Sequence, residues 1–283
     1  MDPDRPIAFM HVPKTAGTSF ITALAHSLQR DVIGGFDRVL FGDFTDFDSL
    51  DESVRRQIFD SPTSLPPEKV VAGHFSYATV RHRRSAQLIT VLREPVSRLL
   101  SHWLYWRSQD EESLAGWGSW ARKVLQSRRP LADFLREPSL AAQMDNLTSR
   151  MLLWPHPLIA SDRFIDRRHS AVLLSEARRR LGDFAFLGVL ADAGLENRLQ
   201  GWLGQPFAMD RMNETSSMPE GRRGSLAEQL TSASLDLLEE RSWLDAELWR
   251  DVVRETLPDV DAGRLRERTL MQSVARFATL FAG

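Results

Sequence analysis

The sequence predicts an α/β domain of three layers, a central parallel sheet with helices on both faces. Two observations carry this. Short apolar runs alternate along the chain with stretches of helical spacing, the pattern of strand–helix–strand units. One of those runs, Gln87–Leu92 (Gln-Leu-Ile-Thr-Val-Leu), is rich in β-branched residues without polar alternation, as in a strand covered on both faces. A length of 283 residues with 42% hydrophobic and 26% charged side chains suits a folded core rather than disorder.

The elements follow in order. Ile7–Val12 is an apolar run ending before Pro13 and reads as the first strand. Thr18–Arg30 has helical spacing through Phe20, Ile21, Leu24 and Leu28, with Thr and Ser at its start. Residues 31–68 are acidic, carry Gly34-Gly35 and several prolines, and read as an irregular excursion with a short helix near Ser53–Phe59. Lys69–Ala72 is the second strand and Gln87–Leu92 the third. Pro95 occupies a first-turn position of a helix running to about Arg107. Helices are expected at Leu114–Gln126, Leu131–Arg136 and His169–Arg180, then a fourth strand at Phe184–Val189 and a helix at Leu195–Leu203. Residues 225–283 read as a helical C-terminal part, and the whole of 1–283 as one domain.

Charge and composition exclude several functions. There are 36 basic and 38 acidic side chains, a formal net charge of −2, which does not suit nonspecific binding of nucleic acid. There is no cysteine, so disulfides, thiolate chemistry and Cys-based zinc sites are out. No apolar stretch is long enough for a membrane span, and the expected setting is cytoplasmic. The triplets at Asn146 and Asn213 match a glycosylation sequon but read as chance matches. Only Lys14, Lys69 and Lys123 are lysines, against 33 arginines.

Lys14 lies in the loop His11-Val12-Pro13-Lys14-Thr15-Ala16-Gly17-Thr18-Ser19, between the first strand and the first helix. Backbone N–H groups at a helix N-terminus attract an anion, and Gly17 allows close backbone approach. Thr15, Thr18 and Ser19 add hydroxyl donors, and Lys14 adds a mobile point charge. The order differs from that of nucleoside-triphosphatase loops, where the lysine follows the glycines. The third strand ends in Arg93-Glu94-Pro95, with Ser101 about two turns into the next helix. A guanidinium and a hydroxyl so placed suit a second phosphate. Magnesium-dependent phosphoryl transfer wants an Asp at such a strand end, and here it is Arg93.

The first loop resembles the 5′-phosphosulfate loop of the sulfotransferases. Arg93-Glu94-Pro95, with Arg98 and Ser101, resembles their 3′-phosphate motif, with Glu94 where Asp is usual. The pattern is most similar to the carbohydrate 2-O-sulfotransferases of the heparan and uronyl type. Gly73-His74-Phe75-Ser76-Tyr77, Asp145–Leu152, Phe186–Val189 and the Asn213 region also resemble segments of that family, in matching order. The resemblance implies a P-loop-like sulfotransferase fold and 3′-phosphoadenosine 5′-phosphosulfate (PAPS) as donor, with adenosine 3′,5′-bisphosphate (PAP) as product and no metal. It implies Lys14, Thr15, Ala16, Gly17, Thr18 and Ser19 around the 5′ end, Arg93 and Ser101 on the 3′-phosphate, and His74 as catalytic base. Arg223, in Gly221-Arg222-Arg223-Gly224, is a weaker match to a late nucleotide-binding element.

Alternatives stay open on the residues alone. Glu94, Asp43 or Asp46 could serve as base, and His11 reads as structural or near the nucleotide. Trp103 and Trp106, three apart, read as core, and the arginine runs 81–84 and 178–180 as solvated faces. The acceptor would be a hydroxyl on a glycan, a glycolipid or a small molecule. An ATP-dependent small-molecule kinase and a non-catalytic nucleotide- or glycan-binding module are the competing functions.

Overall fold

A computed structural model describes the chain apart from residues 3, 30–31, 37–69, 82–84, 119, 161 and 211–217. The acidic candidates Asp43 and Asp46, the helix expected near Ser53–Phe59 and the Asn213 region lie outside the described residues.

Five parallel strands form one sheet in the order β2-β3-β1-β4-β5. They are β1 (Ile7–Met10), β2 (Ile33–Phe36), β3 (Val70–His74), β4 (Gln87–Leu92) and β5 (Phe184–Val189). Helices flank the sheet, giving the three-layer α/β architecture the alternation predicts. All the residues of β1 and β4 are buried. One core packs Ile7, Phe9, Ile89 and Val91 against α1 (Gly17–Leu28) and the helix Leu195–Leu203. The opposite core packs Ala8, Met10, Leu88 and Leu92 against the helices Leu147–Leu153 and Trp243–Thr256. Here α2 is Tyr77–Arg81, α3 Pro95–Ser108, α4 Leu147–Leu153, α5 Ser170–Leu181, α6 Leu195–Leu203, α7 Trp243–Thr256 and α8 Ala262–Ala282. Among the described residues no helix is long and apolar enough to cross a membrane.

Three expectations are corrected. The segment after Asp31 is not wholly irregular, because Ile33–Phe36 pairs with β3 and makes a fifth strand at the sheet edge. Its glycines are part of the pairing. Gly35 lies opposite Gly73, and a Cβ on Gly73 would come within 1.9 Å of the Gly35 carbonyl oxygen. The helix expected over Leu114–Gln126 is two, Glu111–Ala115 and Trp120–Leu125, separated at Gly118, whose φ of +55° no helix interior accommodates. The run 178–180 is not wholly solvated either. Arg178 pairs at the surface with Asp251, but Arg180 is largely buried over the Tyr77 ring and donates to the Leu152 carbonyl.

A buried polar hub ties α4 to α7. Asn146, at φ +48°, accepts from the Leu244 and Asp245 N–H groups. Asp245 in turn accepts from the N–H groups of Thr148 and Ser149 and from the Ser149 hydroxyl, capping α4. Arg150 pairs with Asp145 at 2.6 Å and donates to three carbonyls. Asn146 is fully buried, which removes it as a glycosylation acceptor.

Candidate anion-binding site

Adjacent strands β3, β1 and β4 end at the same edge of the sheet, and the chain crosses from one side of β1 to the other between β3 and β4. Parallel sheets bind ligands in the crevice at such a switch point. Each of the three strand ends presents a residue singled out in the sequence: the His11–Ser19 loop after β1, His74 on β3 and Arg93 after β4.

The loop has a specific local cause. Pro13 stops the strand, and the Thr15 hydroxyl donates back to the Val12 carbonyl at 2.8 Å. Lys14 (φ +69°) and Ala16 (φ +63°) both adopt the left-handed conformation that non-glycine residues rarely take. Such strain is tolerated where the surroundings over-determine it, and it concentrates at functional positions. Ala16 is the N-cap of α1 and offers no side-chain acceptor, so the first N–H groups of that helix receive no side-chain cap. Gly17 is required by packing. A Cβ there would lie 1.9 Å from His11 Nε2.

Cations converge on this loop. Arg93 donates to the Lys14 carbonyl at 3.1 Å, joining the two motifs directly. Burial, then the charges of Arg93 and Arg276, lower the Lys14 pKa to about 8. Burial and Arg276 likewise lower Arg93 to about 10. Arg98, 2% exposed, lies one turn along α3 with its Nε buried and without a hydrogen-bond partner. Ser101 is buried on the same helix. Glu94 caps α3 by accepting from the Ser97 N–H at 2.7 Å and pairs with Arg266 at 3.2 Å. That engagement makes it part of the helix start rather than an open carboxylate. A donor set dominated by cations fits an anion and fits a magnesium ion poorly.

His74 adjoins the loop. Its Nδ1 donates to the His11 carbonyl at 2.9 Å, which leaves the lone pair of the neutral ring on Nε2. Burial lowers its pKa below the ordinary 6.5, the hydrogen bond to His11 opposes this, and the Lys14 charge adds to the lowering. The ring lies 4.4 Å from that of His11, centroid to centroid. Burial, then His74 and Lys14, hold His11 neutral, and its Nε2 is buried without a partner. Chemically, the edge can hold a multiply charged anion and offer a neutral imidazole beside it.

Thus Lys14, Thr15, Ala16, Gly17, Thr18, Ser19, His74, Arg93 and Ser101 stand on one sheet edge and the helices that leave it. Arg223 lies beside Gly283, with its Nε donating to the Met218 carbonyl at 3.1 Å. Trp103 and Trp106 are core. Sequence reasoning missed Arg276 and Tyr105. Arg276 arrives on α8, whose Phe277 ring lies 5.5 Å from the Arg93 guanidinium. Only the helical spacing of 263–280 was legible there. Tyr105 lies on α3, one turn after Ser101. Compared with protein-family models and with curated proteins, the chain matches none at a significant level.

Proposed function

We propose that the chain is a sulfotransferase of P-loop-like fold that moves the sulfuryl group of PAPS to an acceptor hydroxyl, on a carbohydrate or glycolipid. The observation that carries this is the direct joining of the two phosphate-type motifs. The Arg93 guanidinium donates to the Lys14 carbonyl while His74 adjoins the same loop. One end of the site then suits a 5′-phosphosulfate and the other a 3′-phosphate, the two anionic ends of PAPS.

In this reading Arg93 and Ser101 hold the 3′-phosphate and fix the register of the donor. His74 Nε2 takes the proton from the acceptor hydroxyl as its oxygen bonds to sulfur. Lys14 and the N–H groups of Gly17, Thr18 and Ser19 stabilise the charge left on the 5′-phosphate oxygen when its bond to sulfur breaks. The donor supplies the activated sulfur; the protein supplies alignment, proton removal and charge compensation. No metal is needed for that division of labour.

Sulfur-labelled PAPS presented with glycan, glycolipid, phenol and steroid acceptors tests the reading. Transfer to at least one acceptor is expected, falling by about 10²- to 10⁴-fold in His74→Ala and Lys14→Ala proteins that remain folded. Full transfer by His74→Ala would remove the base assignment. Magnesium-dependent turnover of ATP without sulfuryl transfer would favour the kinase reading.

A further inference from the structure

We propose that Tyr105 is a positioning residue for Lys14: the face of its ring carries the ammonium and holds it over the loop. The inference rests on reading Lys14 as the leaving-group cation. The Lys14 Nζ lies 3.9 Å from the Tyr105 ring centroid, well inside the about 6 Å within which a ring face attracts a cation.

The placement follows from α3. Arg98, Ser101 or His102, and Tyr105 recur every three to four residues, so they share one face of the helix, and that face meets the first loop. Tyr105 is half-buried. It is fixed by its helix and by packing against the apolar cluster of Leu104, Trp106 and Phe134.

The contact answers an electrostatic problem. Among the described residues, the charged groups that act on Lys14 are the cations Arg93 at the end of β4 and Arg276 on α8. His11 on the loop, His74 on β3 and His102 on α3 feel the Lys14 charge and are themselves held neutral by burial. None of these supplies negative charge. The quadrupole of the Tyr105 ring does, without the carboxylate that would compete with an incoming anion. The same site can therefore keep an ammonium charged before its ligand arrives and release it to the ligand afterwards. The phenol hydroxyl has no part in this; the ring does.

The chain contains only three lysines, so carbon-13 labelling at lysine Cε gives three titrating NMR signals. Lys14→Arg assigns the one that belongs to Lys14. In the wild-type protein that signal is expected to titrate near pH 8. Tyr105→Leu is expected to move the midpoint down by roughly half to one pH unit, and Tyr105→Phe to leave it in place. An unchanged midpoint in Tyr105→Leu, or a fall in Tyr105→Phe equal to that in Tyr105→Leu, overturns the proposal. Should Tyr105→Leu fail to fold, pentafluorophenylalanine at position 105 removes the negative ring face at nearly constant shape, and an unchanged midpoint there overturns it equally. Titration of PAP binding supplies the second readout. Affinity at pH 6.5 should be nearly equal in wild type and Tyr105→Leu, and at pH 8 several-fold weaker in the variant. A uniform loss at both pH values would instead make Tyr105 an ordinary nucleotide contact and overturn the positioning role. If PAP does not bind the wild type at all, the donor reading fails while the NMR titration still decides the Tyr105–Lys14 contact.

Discussion

At the scale of single residues, the site holds cations at a cost to the fold. A lysine lowered from 10.5 to about 8 stays charged at pH 7 but holds its proton less tightly folded than unfolded. The unfolded chain binds the extra proton between those two values, so the destabilisation is full below pH 8 and fades as pH rises toward 10.5. Lys14→Met should therefore lose transfer and yet unfold at a higher temperature at pH 7, with a gain on the order of 1–3 kcal/mol. Calorimetry beside an activity assay checks both halves, and a loss of stability with a loss of transfer would count against the charge-strain argument. The pH profile follows from the same groups. The proposed transfer needs neutral His74 and protonated Lys14. The acid limb should lie below 6.5, since burial lowers His74, and the alkaline limb near 8, where Lys14 loses its proton. Rates measured against pH at saturating acceptor would show a single rising profile through pH 9 if Lys14 were not required as a cation.

Among elements, the sheet edge depends on close backbone approach. Gly73 lies between β1 and β2, where a side chain would strike the Gly35 carbonyl. Gly73→Ala should displace β2 or His74, lowering the melting temperature and costing the proposed transfer. A variant of unchanged stability and rate would mean that β2 docks more loosely than its register implies. Legibility in the sequence followed the physics of these elements. β4 and β5 were readable to the residue because buried parallel strands are continuous apolar runs bounded by polar turns. β2 was not, because Gly34-Gly35 signals a break unless the partner strand is known. Leu147–Leu153 was not read as a helix, since all seven of its residues are buried and it has no polar face to set a period. The loop, His74 and Arg93 were legible as neighbours because each stands at the end of an apolar run, and parallel strands bring those ends to one edge. Arg276 and Tyr105 were not, because only the packing of α8 and α3 brings them to the loop.

For the whole molecule, the cation cluster stands where two layers meet and is fixed by helices from the far end of the chain. α8 contributes Arg266 to the Glu94 cap, Arg276 to the charge around Lys14, and Phe277 and Phe281 to the core beneath α3. The Asn146–Asp245 hub fastens α4 and α7 to each other. Asp245→Ala should therefore cost about 3–5 kcal/mol of stability, because three buried donors lose their acceptor together. At temperatures where that variant is folded its nucleotide affinity should match the wild type, as denaturant titration and calorimetry would establish. A loss of affinity in the folded variant would mean that the hub and the loop are coupled.

The central claim is that the loop and Arg93 together form one site for a nucleotide bearing phosphate at both ends. Isothermal titration of the whole chain with PAP, in buffer containing a metal chelator, tests it most directly. The account predicts one PAP per chain, with affinity falling about 10- to 100-fold in Arg93→Ala and weaker binding of 5′-AMP to the wild type. Equal affinity for PAP and 5′-AMP, or nucleotide binding that appears only when magnesium is restored, would contradict it.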